Sequence, residues 1–130
     1  MVRVTVFRKT IAEKVHSDVT KTCRSGRIVQ ISMKGHAGYE EAGKDIVCAA
    51  ASVTAYTCAG AIGELAGIPD CYTTGDGMFE IVMPDNAGVD EEKRKIAETI
   101  LETTYIGFKQ IELSYPKYLK VIEVFDRQTV

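Results

Sequence analysis

The strongest constraint on the fold is a run of about twenty residues with almost no side-chain bulk. From Ile46 to about Ala66 the chain carries Ala49, Ala50, Ala51, Ser52, Ala55, Ala59, Gly60 and Ala61. A helix this lean can lie close against a sheet or another helix, and Gly67-Ile68-Pro69 ends it. It needs another layer to pack on, so the remaining segments must build one.

They read as strands and one further helix. Val2, Val4 and Val6 alternate with Arg3 and Thr5, and Val29, Ile31 and Met33 alternate with Gln30, Ser32 and Lys34. Period-two alternation marks half-buried strands. Between them Lys9 to Gly26 is polar and reads as a long excursion joining two hairpin strands. After the lean helix, Cys71 to Thr74 and Met78 to Met83 form a hairpin joined by Gly75-Asp76-Gly77. A second helix is predicted from near Asp90. Glu91 and Glu92 favour its positive end, and Ile96, Ile100, Tyr105, Phe108 and Ile111 form its apolar stripe. Pro116 stops it, and Tyr118 to Phe125 makes a last strand. The order ββαββαβ predicts an α+β fold, with two main helices packed on a mostly antiparallel sheet.

A length of 130 residues suits a single domain spanning 1–130. With 45% apolar and 26% charged residues, an ordinary core is expected. The formal charge of -2 provides no basic field, so direct nucleic-acid contact is not expected. No apolar run is read as approaching the roughly 18 residues of a membrane span, and Met1 opens onto a charged alternating strand. The expectation is a soluble, cytoplasmic protein without membrane contact.

The cysteines are Cys23, Cys48, Cys58 and Cys71, and no two stand at the C-x-x-C spacing of a zinc ribbon or thioredoxin-like motif. A cytoplasmic setting also argues against a disulfide framework. Cys58 and Cys71 have no neighbouring histidine and read as core residues, while Cys23 and His16 fall in the polar excursion and read as surface.

The chemistry concentrates in Gly35-His36-Ala37-Gly38-Tyr39-Glu40-Glu41-Ala42-Gly43-Lys44-Asp45-Ile46-Val47-Cys48. Gly35 to Gly43 reads as a glycine-bearing loop and Asp45 as the N-cap of the lean helix, which puts Cys48 at the third helical position. There unpaired amides and the positive helix end favour a thiolate, the nucleophilic form. His36, at the end of the preceding strand, can remove the thiol proton and return one to a leaving amine. Helix-end amides can hold an oxyanion. Asp45 lies three residues before Cys48, and its charge opposes the thiolate. It reads as structural, with orientation of His36 as the alternative. Ser52, one turn beyond Cys48, reads as a packing or hydrogen-bonding residue. The bland alternative makes Cys48 a small buried hydrophobe in an alanine-rich helix.

Gly38 to Lys44 also fits the phosphate-loop spacing G-x-x-x-x-G-K. However, Asp45 stands where Ser or Thr would ligate magnesium, and Glu40 and Glu41 would repel phosphate. That reading is rejected.

This segment resembles the bacterial ribosomal-processing cysteine proteases. Their hallmark is Gly-His-Ala, a short glycine-bearing loop, then Asp-Ile-Val-Cys-Ala-Ala with a serine shortly after; Gly35-His36-Ala37, Asp45 to Ala50 and Ser52 reproduce it. The likeness extends to Val2 through Arg8, to Gly26-Arg27-Ile28-Val29, and to Tyr115-Pro116-Lys117-Tyr118-Leu119-Lys120-Val121. The resemblance implies His36 as catalytic histidine and Cys48 as nucleophile. The implied substrate is the twenty-seventh large-subunit ribosomal protein, made with a short N-terminal extension whose removal exposes its mature tail. It further implies a small α+β homodimer with a mobile loop between His and Cys near the substrate cleft, and neither metal nor organic cofactor. Two departures stand out. Lys9 to Ser25 exceeds the short turn expected there, and Cys58-Ala59-Gly60-Ala61 is leaner than the family pattern.

Two other classes compete with the protease. One is a non-catalytic module that binds a ribosomal protein or assembly intermediate, with Cys48 as packing. The other is a thiol-redox sensor, which the missing C-x-x-C pair weakens.

Overall fold

The computed structural model describes residues 1–9, 26–35, 42–84 and 89–126, the side chains of 42–45 and 126 excepted. The chain runs β1 (Val2–Lys9), β2 (Arg27–Lys34), α1 (Ala42–Glu64), β3 (Tyr72–Gly75), β4 (Met78–Val82), α2 (Glu91–Ser114) and β5 (Leu119–Asp126). This is the ββαββαβ order expected from the sequence. The sheet order is β3-β4-β2-β1-β5. β1–β2, β2–β4 and β3–β4 pair antiparallel, and β1–β5 pair parallel.

The alternation read in the sequence sets the two faces of the sheet, except at the start of β2, where a register shift between Phe7 and Arg8 buries Ile28 and leaves Val29 half-buried. Val2, Val4, Val6, Ile31, Phe79, Ile81 and Leu119 are buried on the helix side, while Arg3, Lys34 and Lys120 stay exposed on the other. The register places Val4 beside Met33 and Val121, and Ile31 beside Ile81, so the inner face is continuous across four strands. From α1, Val47, Ala51, Ala55, Cys58 and Ile62 pack into this core, and from α2 come Ala97, Leu101 and Phe108. Leu101 and Phe108 are fully buried, each contributing about 1.5–3 kcal/mol of transfer free energy. The lean helix does pack closely: a side-chain carbon on Gly107 of α2 would stand 3.4 Å from Thr54 Cγ2 of α1.

Arg8 is 3% exposed yet fully engaged. It donates to Glu102 at 2.6 and 3.2 Å, to Glu123 at 2.8 Å and to the Gly26 carbonyl at 3.1 Å, beside the Tyr105 ring at 5.1 Å. Burial pulls its pKa down, but the two carboxylates outweigh burial and hold it above its ordinary value. The cluster ties β1, α2 and β5 at the end of the sheet away from Val2.

Three sequence expectations are corrected. Helix α1 begins at Ala42, so Asp45 is its fourth residue rather than its N-cap and Cys48 its seventh rather than its third. An acidic residue suits the whole first turn of a helix, so Asp45 carries no signal that fixes the cap. By length and composition Ile46–Glu64 is apolar enough to cross a membrane, contrary to the reading that no run approaches that length. Alanine and glycine hide such a run by eye, and in this fold one side of it joins the core. On α2 the buried line is Ala97, Leu101, Thr104 and Phe108, with Ile96 exposed and Ile100 and Ile111 at the margin. The stripe predicted from the sequence follows the edge of the true face because small Ala97 and polar Thr104 do not stand out as apolar.

Asp90 does cap α2, its carboxylate accepting from the Lys93 amide at 3.0 Å. Gly67 (φ 71) turns the chain after α1, with the Ile68 amide bonded to the Ile62 carbonyl at 3.1 Å. His16 and Cys23 of the excursion, and loop residues 37–41, lie outside the described residues.

Candidate active site

Cys48, Ser52 and Tyr56 are spaced four apart on α1, so they share one helical face. All three line a cavity of about 190 Å³. Its opposite wall is the β3–β4 turn, with Thr74, Gly75, Gly77 and Met78, and its floor comprises Val2, Met33, Ala51 and Phe79. Gly35, the residue that follows β2, also lines it.

An aromatic cluster borders the cavity through Tyr56 and Phe79. The Tyr56 ring meets Phe79 edge-on at 4.9 Å, and Tyr72 stacks on Phe79 at 5.5 Å. The Tyr56 hydroxyl and Thr74 Oγ1 lie 3.0 Å apart, so α1 and the hairpin are joined across the cleft.

The described thiols divide by environment. Cys58 is 2% exposed and belongs to the core. Burial pushes its thiol above the usual range, and a hydrogen bond with Thr104 offsets this only in part. The Cys71 thiol is raised by burial and by the charge of Asp70, and it leans toward the Ile68 carbonyl at 3.5 Å. Both are held in the unreactive protonated form. Cys48 is half-buried and opens onto the cavity.

Cys48 as the seventh residue of α1 lies beyond the turn where the helix end acts most strongly. Its own amide falls within the hydrogen-bonded part of the helix, so the helix-end argument for a thiolate loses force. A nearby positive partner becomes correspondingly more important. His36 and the side chain of Asp45 lie outside the described residues, whereas Gly35, bonded to His36, is in the cavity wall. The structure thus brings Cys48, Ser52 and Gly35 together.

Sequence reasoning missed Tyr56 and the hairpin residues. The i, i+4, i+8 spacing from Cys48 through Ser52 was available to find Tyr56. Nothing local could find Thr74, Gly77 or Met78, because they reach the site through sheet pairing.

A family model described as cysteine protease Prp matches residues 1–120. The chain belongs to this family. A ribosomal processing cysteine protease Prp from Bacillus subtilis strain 168 is 30% identical over 96 residues, covering 72% of this chain and 84% of that one. The chain is also similar to the crystal structure of the essential ribosomal processing protease Prp from Staphylococcus aureus in complex with a substrate peptide. There the TM-score is 0.65 at 26% identity, covering 92% of this chain and 98% of that one. A Streptococcus mutans crystal structure shares the fold, with a TM-score of 0.73 at 20% identity over 97% of this chain and 99% of that one. Membership in the Prp family makes the chain a cysteine protease and agrees with the α+β architecture and with an open thiol in a cleft.

Proposed function

We propose that Cys48 is the nucleophile and His36 the general base and acid of an endopeptidase that removes the short N-terminal extension of the twenty-seventh large-subunit ribosomal protein. The observation that carries this reading is the position of Cys48. Of the described thiols it alone opens onto the cavity, and that cavity is walled by the residue bonded to His36. A relative solved with a substrate peptide supports a peptide occupant. The mostly apolar floor of Val2, Met33, Ala51 and Phe79 fits an uncharged side chain beside the scissile bond.

In this mechanism the His36 imidazole takes the proton of Cys48, and the thiolate sulfur attacks the scissile carbonyl carbon. The tetrahedral intermediate collapses as imidazolium protonates the departing amine and the C–N bond breaks, leaving a thioester. Imidazole then removes a proton from water, hydroxide adds to the thioester, and the C–S bond breaks to release the extension as a carboxylic acid. Ser52, in the same wall one turn from Cys48, is a supporting polar group. Asp45, in the turn before Cys48, supports the helix start.

The reading includes a cytoplasmic homodimer that acts on protein rather than nucleic acid. The net charge of -2 supports the last point. On the sheet face opposite the two described helices, Ile122 and Val124, each 40% exposed, offer an apolar patch for a second copy. The test is incubation with the full-length ribosomal protein followed by intact mass measurement. Loss of one N-terminal fragment is expected. An unchanged mass after many equivalents of enzyme contradicts the assignment.

A further inference from the structure

We propose that Gly35 is a positioning residue for His36, fixing its backbone anchor from two sides; this rests on the Cys48–His36 reading above. Three strands meet at Gly35. Lys34, the last residue of β2, pairs with Arg3 of β1 and with Met78 of β4. The chain then leaves the sheet at Gly35 with φ 122, a conformation that residues with a side chain rarely adopt.

Space imposes the same requirement independently. A side-chain carbon on Gly35 would overlap the Met1 carbonyl oxygen and stand 3.1 Å from Val2 Cα and 3.2 Å from the Met1 carbonyl carbon. These obstacles are backbone, and they are not free to withdraw. The Val2 amide donates to the Tyr118 carbonyl at 2.9 Å, Val2 pairs with Leu119 of β5, and from Arg3 onward β1 is paired on both sides. From the opposite direction, the Gly35 amide donates to the Gly77 carbonyl at 3.0 Å. Gly77 (φ 69) belongs to the β3–β4 turn that forms the wall facing Cys48. Gly35 is therefore seated between the start of β1 and the turn that shapes the cleft.

A substituent at Gly35 has one way out: away from Met1, with loss or distortion of the bond to Gly77. Any such movement passes directly to the next residue, whose Cα is about 3.8 Å away across one peptide unit. A misplacement of about 1 Å in a catalytic group can cost ~10²-fold in rate. The clamp also couples cleft and histidine, because one turn both walls the substrate and holds the anchor.

The test compares wild type, His36→Ala, Gly35→Ala and the control Gly60→Ala, whose added carbon meets nothing within 4 Å. Two readouts are taken at a temperature where each variant is folded by circular dichroism. One is kcat and KM for a peptide spanning the cleavage site. The other is the pH profile of iodoacetamide alkylation at Cys48, followed by peptide mass. Gly35→Ala is expected to lower kcat by ~10²-fold or more with KM changed less than about threefold, and to show the alkylation profile of His36→Ala. Gly60→Ala is expected to match wild type. If Gly35→Ala does not fold, Gly77→Ala replaces it, since it disturbs the clamp from the other side. It is expected to shift the alkylation profile in the same direction. A folded Gly35→Ala, or Gly77→Ala in its place, with the wild-type profile and kcat overturns the positioning role while His36→Ala still upholds the dyad. If His36→Ala itself keeps the wild-type profile and cleavage, the dyad reading fails and the positioning role with it.

Discussion

The Tyr56 hydroxyl and Thr74 Oγ1, 3.0 Å apart, connect α1 to β3 across the far end of the cavity that Cys48 lines. Eighteen positions separate them in sequence, and Tyr56 is two turns along the helix from Cys48. The contact spans the cleft between helix and hairpin.

Removing only that bond should loosen the cleft without unfolding it. The pair is exposed, so Tyr56→Phe is expected to cost about 0.5 kcal/mol, near 2 °C in Tm. KM for a cleavage-site peptide should rise while kcat holds, because the wall that seats the peptide moves and the reacting groups do not. Steady-state kinetics on Tyr56→Phe and Thr74→Val check this, and a fall in kcat at constant KM would count against it.

The Arg8 cluster should matter to stability and not to chemistry. Arg8→Ala leaves Glu102 and Glu123 facing each other with their shared cation gone, and the Gly26 carbonyl loses a donor. The two carboxylates left behind keep 24% and 32% side-chain exposure, so the cost is that of the lost charged hydrogen bonds, about 1.5–3 kcal/mol. Urea denaturation should show a loss of this size, with the specific activity of folded protein unchanged, since the cluster sits at the end of the sheet away from the cleft.

The α+β class and element order were legible in the sequence because β1 alternates cleanly, α2 carries apolar residues at helical spacing even though its stripe lies off the buried face, and Gly67 and Pro116 punctuate the chain strongly. The parallel β1–β5 pair was not, because register between strands more than a hundred residues apart leaves no local mark. At the site, the Gly-His and Asp-Ile-Val-Cys segments singled out Cys48, and the structure adds the cleft. The start of α1 was misread because Ala42, Gly43 and Lys44 carry no capping signal, while Asp45 suits either a cap or a first turn. Gly35 looked like ordinary loop glycine; its requirement comes from the Met1 carbonyl, brought beside it by sheet pairing.

Glu112 gives a pH dependence with a defined sign. It accepts from the Val121 amide at 3.1 Å and from Lys109 Nζ at 3.0 Å. The Val121 bond first, and then Lys109, hold its carboxyl below the usual range, with burial opposing. A carboxyl lowered in the folded state stabilises above its unfolded pKa and loses that contribution as pH falls through the folded value. Wild type should therefore lose more stability than Glu112→Gln between pH 6 and pH 3, tracked by thermal midpoints at each pH. Equal losses would mean the Glu112 contacts do not persist in solution.

His36→Ala should lower kcat/KM by ~10²–10⁴-fold, the usual contribution of a general acid–base group. A pH–rate profile of the variant checks it. A loss below about tenfold at pH 7 would assign the proton transfers to another group.

The central claim is that the sulfur of Cys48 forms the bond to substrate, and turnover by Cys48→Ala tests it most directly. The variant lacks any nucleophile at that position but keeps the cavity, so it should fold with a wild-type Tm and still bind the substrate peptide. Intact mass measurement after prolonged incubation with the extended ribosomal protein should show the full-length species only. A cleaved product at the wild-type site, formed by purified Cys48→Ala, would contradict the account.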